Sequence, residues 1–518
     1  MYPCIIIVLY ICIPCTQCGY AWHISDLHID TYQHCSTPVG DYHCDSPLVL
    51  ALSALHAMKN IQPYPDLILW TGDSAPHWST PSMEYILNIT STVFTQLEQL
   101  FPGVPVIPVL GNHDTSPPNQ FPVPTPEDPT PQYYSHMLHQ GGWGQHVPEG
   151  DGVKTFLTCG YYVKTVKTVK YVVLNTNIYL HDNYTEGEDP CGQLAWLNNT
   201  LVQADSPLYI VSHVPPKMQF TTPTHFVKHI HNKYMEIVTN YDNSKKIYAH
   251  LYAHYHSDTF ELFLDEESRS EVRGVAYIGS SVSPITGVNP GIRLFKFDDD
   301  DRTLLDYDQY YLDLQHVTEK FYGQKEEKEN SNTIKNKLLN KHTFIHNFTD
   351  VLAKEWKLLY SATEFFSIPR LSQHNMFTVF TRMVEQGATS PLFLAYCHHS
   401  SLGHGSLHGC GEKVWREQLC TMSSRGKEDY SRCVIGSDKN SFPGYTEVSQ
   451  DILPTSHGFD LDNNGLVVGI SAAVFLSLVT FLLCGLYLHH RQGEMEGGEH
   501  ELLIHEQIDD LEINEIKK

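Results

Sequence analysis

The chain has 518 residues, long enough for two or three domains and a large buried core. Its formal charge of −25 excludes a general nucleic-acid surface, because affinity there comes mainly from Lys and Arg neutralising phosphates. Thirty-one histidines fit an acidic compartment, and two bound dications could still draw a phosphate to an acidic protein locally.

Residues 1–19 open with a short apolar run, 5–13, and close on small or polar residues, the pattern of a cleaved secretory signal lacking its basic start. The run is too short to span a bilayer. Of 13 cysteines, Cys4, Cys12, Cys15 and Cys18 fall in this segment and Cys484 in a later apolar stretch. The remaining eight, Cys35, Cys44, Cys159, Cys191, Cys397, Cys410, Cys420 and Cys433, read as disulfides in a secretory context. Pairing of neighbours such as Cys35 with Cys44 fits, but spacing does not choose among the connectivities, and no CxxC suggests a cysteine zinc site. Sequons at Asn88, Asn183, Asn198 and Asn347 agree with a lumenal or extracellular face.

The chain is organised around residues 67–77, LILWTGDSAPH, where a buried-strand run turns at Thr71 and Gly72 to present Asp73 at its end. The same arrangement recurs. Residues 20–25 lead into Asp26 and His28, 104–110 into Asn112 and His113, 208–212 into His213, and 247–253 into His254 and His256. Alternating α/β proteins place chemistry at such strand ends. Carboxylates that can bridge, imidazoles and one amide oxygen suit two divalent ions, a standard device for in-line attack on phosphorus.

Between these blocks the patterns predict helices over 47–58, 82–100 and 193–204 and a strand over 171–175. The Pro-rich run 117–131 is expected as a surface loop close to Asn112 and His113. Two more strands are expected at 275–278 and 294–297, which closes a catalytic domain over 20–322. A polar connector (323–348), a disulfide-stapled helical subdomain (349–439) and a stalk (440–465) follow. Residues 466–488 form an uncharged run of the length a transmembrane helix needs, giving a type I orientation after signal cleavage. The tail 489–518 carries nine acidic and three basic residues, and Glu499, Leu503 and Ile504 have the spacing of an acidic dileucine signal for a sorting adaptor.

The blocks SDLHID, GDSAPH, GNHD, VSHVPP and AHYH, in that order, resemble the calcineurin-like metallophosphoesterases. More narrowly, WHISDLHID, VLGNHDTSPPNQFP, VSHVPPKM, HYHSDTF and NPGIRLFKFD are similar to the acid sphingomyelinase-like phosphodiesterases over roughly 20–435. The resemblance implies an α/β sandwich of two mixed β-sheets flanked by helices, with the helical subdomain and membrane span appended. It also implies that Asp26, His28 and His256 hold one ion, that Asn112, His213 and His254 hold the other, and that Asp73 bridges both. His113 and His77 would stabilise the phosphate and protonate the leaving oxygen.

Two Zn²⁺ are implied rather than iron, because purple acid phosphatases place a ferric-ligating Tyr in the block where this chain has GDSAPH. The family usually has Gly before the paired histidines; here it is Ala253, which a positive φ would strain by roughly 1–2 kcal/mol. The expected activity is hydrolysis of phosphodiester or phosphoanhydride bonds in nucleotides, cyclic dinucleotides or phosphocholine compounds, outside the cell or in the endo-lysosomal lumen. Two other readings are a sphingomyelin phosphodiesterase and a membrane-anchored regulator or receptor that binds without turnover.

Overall fold

The structure is a computed structural model that describes residues 18–445 except 33–34, 79, 129, 182–186, 218–224, 269–270, 323–347 and 406–408. The expected signal up to residue 17, Asn183, Asn347, the span 466–488 and the sorting residues Glu499 to Ile504 lie outside the described residues. Among the described residues no helix is long and apolar enough to cross a membrane.

Two six-stranded mixed sheets form the core. The first runs, edge to edge, Lys357–Ser361, Leu304–Tyr311, Gly291–Asp298, Cys18–Ile24, Leu67–Trp70 and Val106–Pro108. The second runs Thr259–Leu264, Val272–Ile278, Ile247–Tyr252, Leu208–Val211, Val169–Val173 and Tyr162–Val166. In each, the strands that precede the candidate ligands are parallel neighbours: Cys18–Ile24 with Leu67–Trp70 and Val106–Pro108, and Leu208–Val211 with Ile247–Tyr252. Every residue of Leu67–Trp70 and Leu208–Val211 is buried, as expected of unbroken apolar runs covered on both faces.

The sheets face each other through aromatic rings. Tyr277 of the second sheet meets Phe295 at 6.4 Å and Tyr307 at 6.2 Å, and Tyr209 meets Phe297 edge-on at 5.5 Å. Arg293 is fully buried in this layer. It donates to Asp258, to Gln309 Oε1 (3.1 Å) and to Ile278 O (3.0 Å), and lies 4.2 Å from the Tyr307 ring centroid. One guanidinium therefore joins both sheets to the turn just past His256.

Helices cover the outer faces. Leu48–Ile61 and Gln193–Gln203 form close to the expected ranges, and Met83–Leu100 starts where Ser82 accepts from Tyr85 N at 3.1 Å. The strand expected at 171–175 is Val169–Val173. Residues 18 and 19, counted with the signal in the sequence, are in the ladder, with Cys18 opposite Asp298.

Residues 349–439 are not helical throughout. Lys357–Ser361 adds an antiparallel edge strand to the first sheet, and only then do Gln373–Gln386, Pro391–Ser400, Glu412–Ser423 and Lys427–Ile435 follow. Glu412–Ser423 packs on Thr259–Leu264 and Gln373–Gln386 on Val272–Ile278. The disulfides pair Cys35–Cys44, Cys159–Cys191, Cys397–Cys410 and Cys420–Cys433, neighbours in every case. Asn88 is exposed on Met83–Leu100, whereas Asn198 is half-buried and accepts from Asn243 Nδ2 at 3.2 Å.

Removing one partner of a buried ion pair strands the other charge, at a cost of about 3–5 kcal/mol. Arg293→Met is expected to lower stability by that order in urea denaturation. A loss under ~1 kcal/mol would show that Asp258 is satisfied without the guanidinium.

Candidate metal centre

The ligand candidates leave their strands through tight turns that touch. Asp26 N donates to Gly72 O, His28 N to Asp73 O and Ala253 N to His213 O, each at 3.0 Å. Gly72 (φ +94°) packs directly on Gly111: a Cβ at Gly72 would fall 2.3 Å from Gly111 N, and one at Gly111 would fall 2.1 Å from Asp73 N. This backbone contact requires both glycines, and at Gly72 the positive φ requires one as well.

Left-handed backbone is concentrated on the candidates themselves: Asp26 (φ 50°), His28 (40°), Asp73 (56°), His254 (72°) and His256 (59°). Residues held this way cost on the order of 1–3 kcal/mol each and persist where surrounding structure over-determines them. Ala253 is not among them, so the strain expected at that alanine is absent; the turn carries positive φ one residue later, at His254.

The turns bring the donor atoms together. His28 Nε2 lies 3.1 Å from His256 Nε2, 3.5 Å from Asp73 Oδ2 and 3.8 Å from Asp26 Oδ1. His256 Nε2 is 3.3 Å from Asp26 Oδ1. On the other side, His213 Nε2 is 3.2 Å from Asp73 Oδ2 and 2.9 Å from Asn112 Oδ1. Asp73, His213 and His254 offer ligand atoms within 4.8 Å of one another, as do Asp26, His28 and Asp73, and His28, His77 and His256. Asp73 belongs to two of these groups.

Surrounding groups fix the direction of two of the rings and of the amide. His28 Nδ1 donates to Ala75 O (2.8 Å) and His213 Nδ1 to Thr71 O (2.7 Å), which leaves both Nε2 lone pairs aimed at the centre. Asn112 Nδ2 donates to Asn119 Oδ1 at 2.9 Å, turning the amide oxygen inward. Asn119 belongs to the Pro-rich run, which is a loop beside Asn112 as its composition predicts.

The chemistry of this donor set fits cations. Asp26, His28 and His213 are wholly buried, and Asp26 Oδ1 has no hydrogen-bond partner among the described residues. Burial acts to raise both carboxyls, but the neighbouring imidazoles outweigh it: His256 holds Asp26 well below the usual carboxylate range, and His213 and His113 do the same for Asp73. His213 is pushed up to about 9, burial being outweighed by the charge of Asp73. Among the described residues the cationic side chains that approach these carboxylates are imidazoles, joined by the backbone N–H groups of His113 and His254, so a metal in their midst would take over the compensation.

His77 and His113 stand at the rim. The His77 ring stacks on His28 at 3.8 Å and lies 4.4 Å from the His113 ring. His113 N donates to Asp73 Oδ1 at 2.7 Å. Their environments differ. Burial pushes His113 down to about 3, while at His77 burial is overcome by Asp45, which accepts from Nδ1 at 2.7 Å and from the backbone N at 2.8 Å and raises its pKa.

Asp45 carries no metal-ligand spacing in the sequence, and Asp114, although it closes the GNHD block, was assigned no role there. Asp45 follows Cys44 of the 35–44 disulfide and precedes Ser46–Pro47, which pairs beside His28 through Ile29–Asp30. Asp114 accepts from Ser74 N (2.8 Å), Gly111 N (2.9 Å) and Asp73 N (3.0 Å), clamping two ligand turns at once. Its place directly after GNH was the one available signal.

Residues 20–258 match the calcineurin-like phosphoesterase family. Cyclic GMP-AMP phosphodiesterase SMPDL3A of Mus musculus is 29% identical over 458 residues, covering 80% of this chain and 92% of that protein. Acid sphingomyelinase-like phosphodiesterase 3b of Mus musculus is 28% identical over 482 residues, covering 85% and 95%. Sphingomyelinase phosphodiesterase C of Dictyostelium discoideum is 29% identical over 472 residues, covering 83% and 96%. With its sheets, turns and ligand atoms disposed as above, residues 20–258 form a domain similar to the calcineurin-like phosphoesterases, and the relatives matched over four fifths of the chain are named phosphodiesterases.

Proposed function

We propose that the chain is a binuclear zinc phosphodiesterase acting on nucleotide phosphodiesters or phosphoanhydrides, with its catalytic domain in the endo-lysosomal lumen or outside the cell. The observation that carries this reading is the position of Asp73, whose carboxylate is shared by the group containing Asp26 and His28 and the group containing His213 and His254. Asp26, His28 and His256 would hold one ion and Asn112, His213 and His254 the other, with Asp73 within reach of both sets. Four imidazoles with carboxylate and amide oxygens favour zinc, and no Tyr stands in the GDSAPH block to hold ferric iron. When bound, the two ions supply charge neutralisation at the phosphoryl group and make water acidic enough to attack phosphorus.

The chain's own residues do the rest. His77, raised by Asp45, carries the proton that the leaving oxygen needs, with Asp45 fixing the ring through Nδ1. His113, kept neutral by burial, supplies a hydrogen bond to a phosphoryl oxygen. Pushing two neighbouring titratable groups in opposite directions is how one site separates a proton donor from a neutral partner.

The relative named a cyclic GMP-AMP phosphodiesterase supports a nucleotide substrate, and the one named a sphingomyelinase phosphodiesterase supports a lipid alternative. The four disulfides support an oxidising compartment, where Asn88 is the sequon best placed for a glycan. Anchoring through 466–488 and adaptor binding at Glu499 to Ile504 belong to the same proposal.

Chelation is expected to abolish hydrolysis of a chromogenic phosphodiester, and added Zn²⁺ to restore it. Asp73→Asn should lower kcat roughly 10³-fold or more, since several kcal/mol of charge stabilisation is at stake. Substrate binding that survives alongside absent turnover in the unmodified protein would favour the non-catalytic regulator instead.

Asp45→Asn removes the charge that raises His77. Because the proton donor must be protonated, activity falls as pH rises through its pKa. The alkaline limb of the kcat profile is therefore expected to move to lower pH in this variant, and an unmoved limb would remove His77 from the role.

A further inference from the structure

Beside His77 the protein displays three aromatic rings that none of the chemistry above employs. Tyr32 is 69% exposed, and the half-buried Trp78 and Tyr85 beside it make the exposure part of a contiguous aromatic patch. Ring centroids are 5.1 Å apart for Tyr32 and Trp78, 4.8 Å for Trp78 and Tyr85, and 6.0 Å for Tyr32 and Tyr85. Tyr85 is pinned: its hydroxyl donates to Ile29 O (2.9 Å) and accepts from Thr31 N (3.1 Å).

Both sides of this cluster grow out of ligand-bearing segments. Tyr32 lies four residues past His28 and Trp78 is the residue after His77. Consecutive Cα atoms are about 3.8 Å apart, so Trp78 begins one residue from the histidine assigned as proton donor. Inward of His77 the space is taken by His28, stacked on it at 3.8 Å. The rings therefore stand on the two chain segments that lead away from His28 and His77, where the part of a substrate beyond the phosphate can reach them.

Ring orientation selects the ligand class. A quaternary ammonium is held by rings that wall it in from several steep directions. Here the Tyr32 and Tyr85 planes are 21° apart and Trp78 is tilted by 44° and 34° to them, so no pair of rings stands steeply enough to form cage walls. The stacked Tyr32–Tyr85 pair with Trp78 between the two inclinations offers π faces that suit a planar heterocycle. The geometry points to Tyr32 and Trp78, backed by Tyr85, as the seat of the leaving nucleoside's base. This rests on the phosphodiesterase reading above and adds to it the part of the substrate that the metal ligands do not touch.

The test compares the full chain with Tyr32→Ala, Trp78→Ala and Trp78→Phe on three diesters: adenylyl-adenosine, glycerophosphocholine and glycerophosphoglycerol. Base stacking is worth ~1–3 kcal/mol per base, so each alanine variant should raise KM for adenylyl-adenosine roughly tenfold, kcat changing less than KM. The ratio of kcat/KM for adenylyl-adenosine to that for glycerophosphoglycerol should fall by about the same factor, and Trp78→Phe should recover most of it. Equal changes on all three diesters, or a change confined to glycerophosphocholine, would overturn the assignment.

Adenosine 5′-monophosphate binding to the chelated protein, read by equilibrium dialysis, is the second arm. Exposed Tyr32 can be truncated without touching the core, so Tyr32→Ala keeps this arm decisive even if Trp78→Ala fails to fold. Weaker binding in that variant supports the seat, and unchanged binding refutes it. Absent turnover by the unmodified protein on every diester would instead strike the phosphodiesterase reading, leaving dialysis to decide the ring site alone.

Discussion

Two carboxylates buried side by side set the terms for the rest of this molecule. Asp26 and Asp73 are each almost wholly removed from water, and the groups that approach them are imidazoles rather than Lys or Arg. Burying such charges without compensation is prohibitive, and protonated histidines supply only part of it. The fold therefore makes sense as a cation trap. Its parallel strands, its glycine contacts and its outer ring of hydrogen bonds all serve to hold negative charge and lone pairs around one small space.

Holding them there demands unusual backbone. Five candidate ligands occupy left-handed φ, and the strain is sustained by groups that contact neither ion nor substrate. Asp114 ties the Gly72–Asp73 turn to the Gly111–Asn112 turn through three backbone N–H groups. Asp258, two residues past His256, is held by Arg293 and Tyr360, and its backbone N donates to Ser400 O at 3.0 Å. Lys217, four residues past His213, donates to Leu262 O and to Met422 O at the end of Glu412–Ser423. The C-terminal helices thus grip the two histidine-bearing turns of the second sheet, which gives the disulfide-stapled segment a mechanical role at the metal centre.

The rim divides labour by electrostatics. His77 and His113 are near neighbours with opposite environments, one leaning on Asp45 and the other enclosed without a carboxylate partner on its ring. Beyond them stand the rings of Tyr32, Trp78 and Tyr85, so under the proposed function the site would pass from bound ions through a proton donor to a stacking face.

Strand-end ligands were legible because each follows a mainly apolar run, and period and composition are local properties of a chain. The same holds for the Pro-rich loop and the even set of cysteines. Less was visible where polar residues are buried. Leu304–Tyr311 reads as LLDYDQYY, yet Gln309 lies fully inside because Arg293 and Ser280 meet it there. Lys357–Ser361 was likewise lost within a segment whose pattern is mainly helical. By itself, then, the sequence determined which residue types would be delivered to strand ends, and hence the class of chemistry. Only the tertiary structure decided which cysteines pair, that Asp45 backs His77 and Asp114 clamps the turns, and that positive φ falls on His254 rather than Ala253. Those choices depend on contacts made in the folded chain, Asp45 reaching His77 across 32 positions and Asp114 reaching Asp73 across 41, and no local pattern records such contacts.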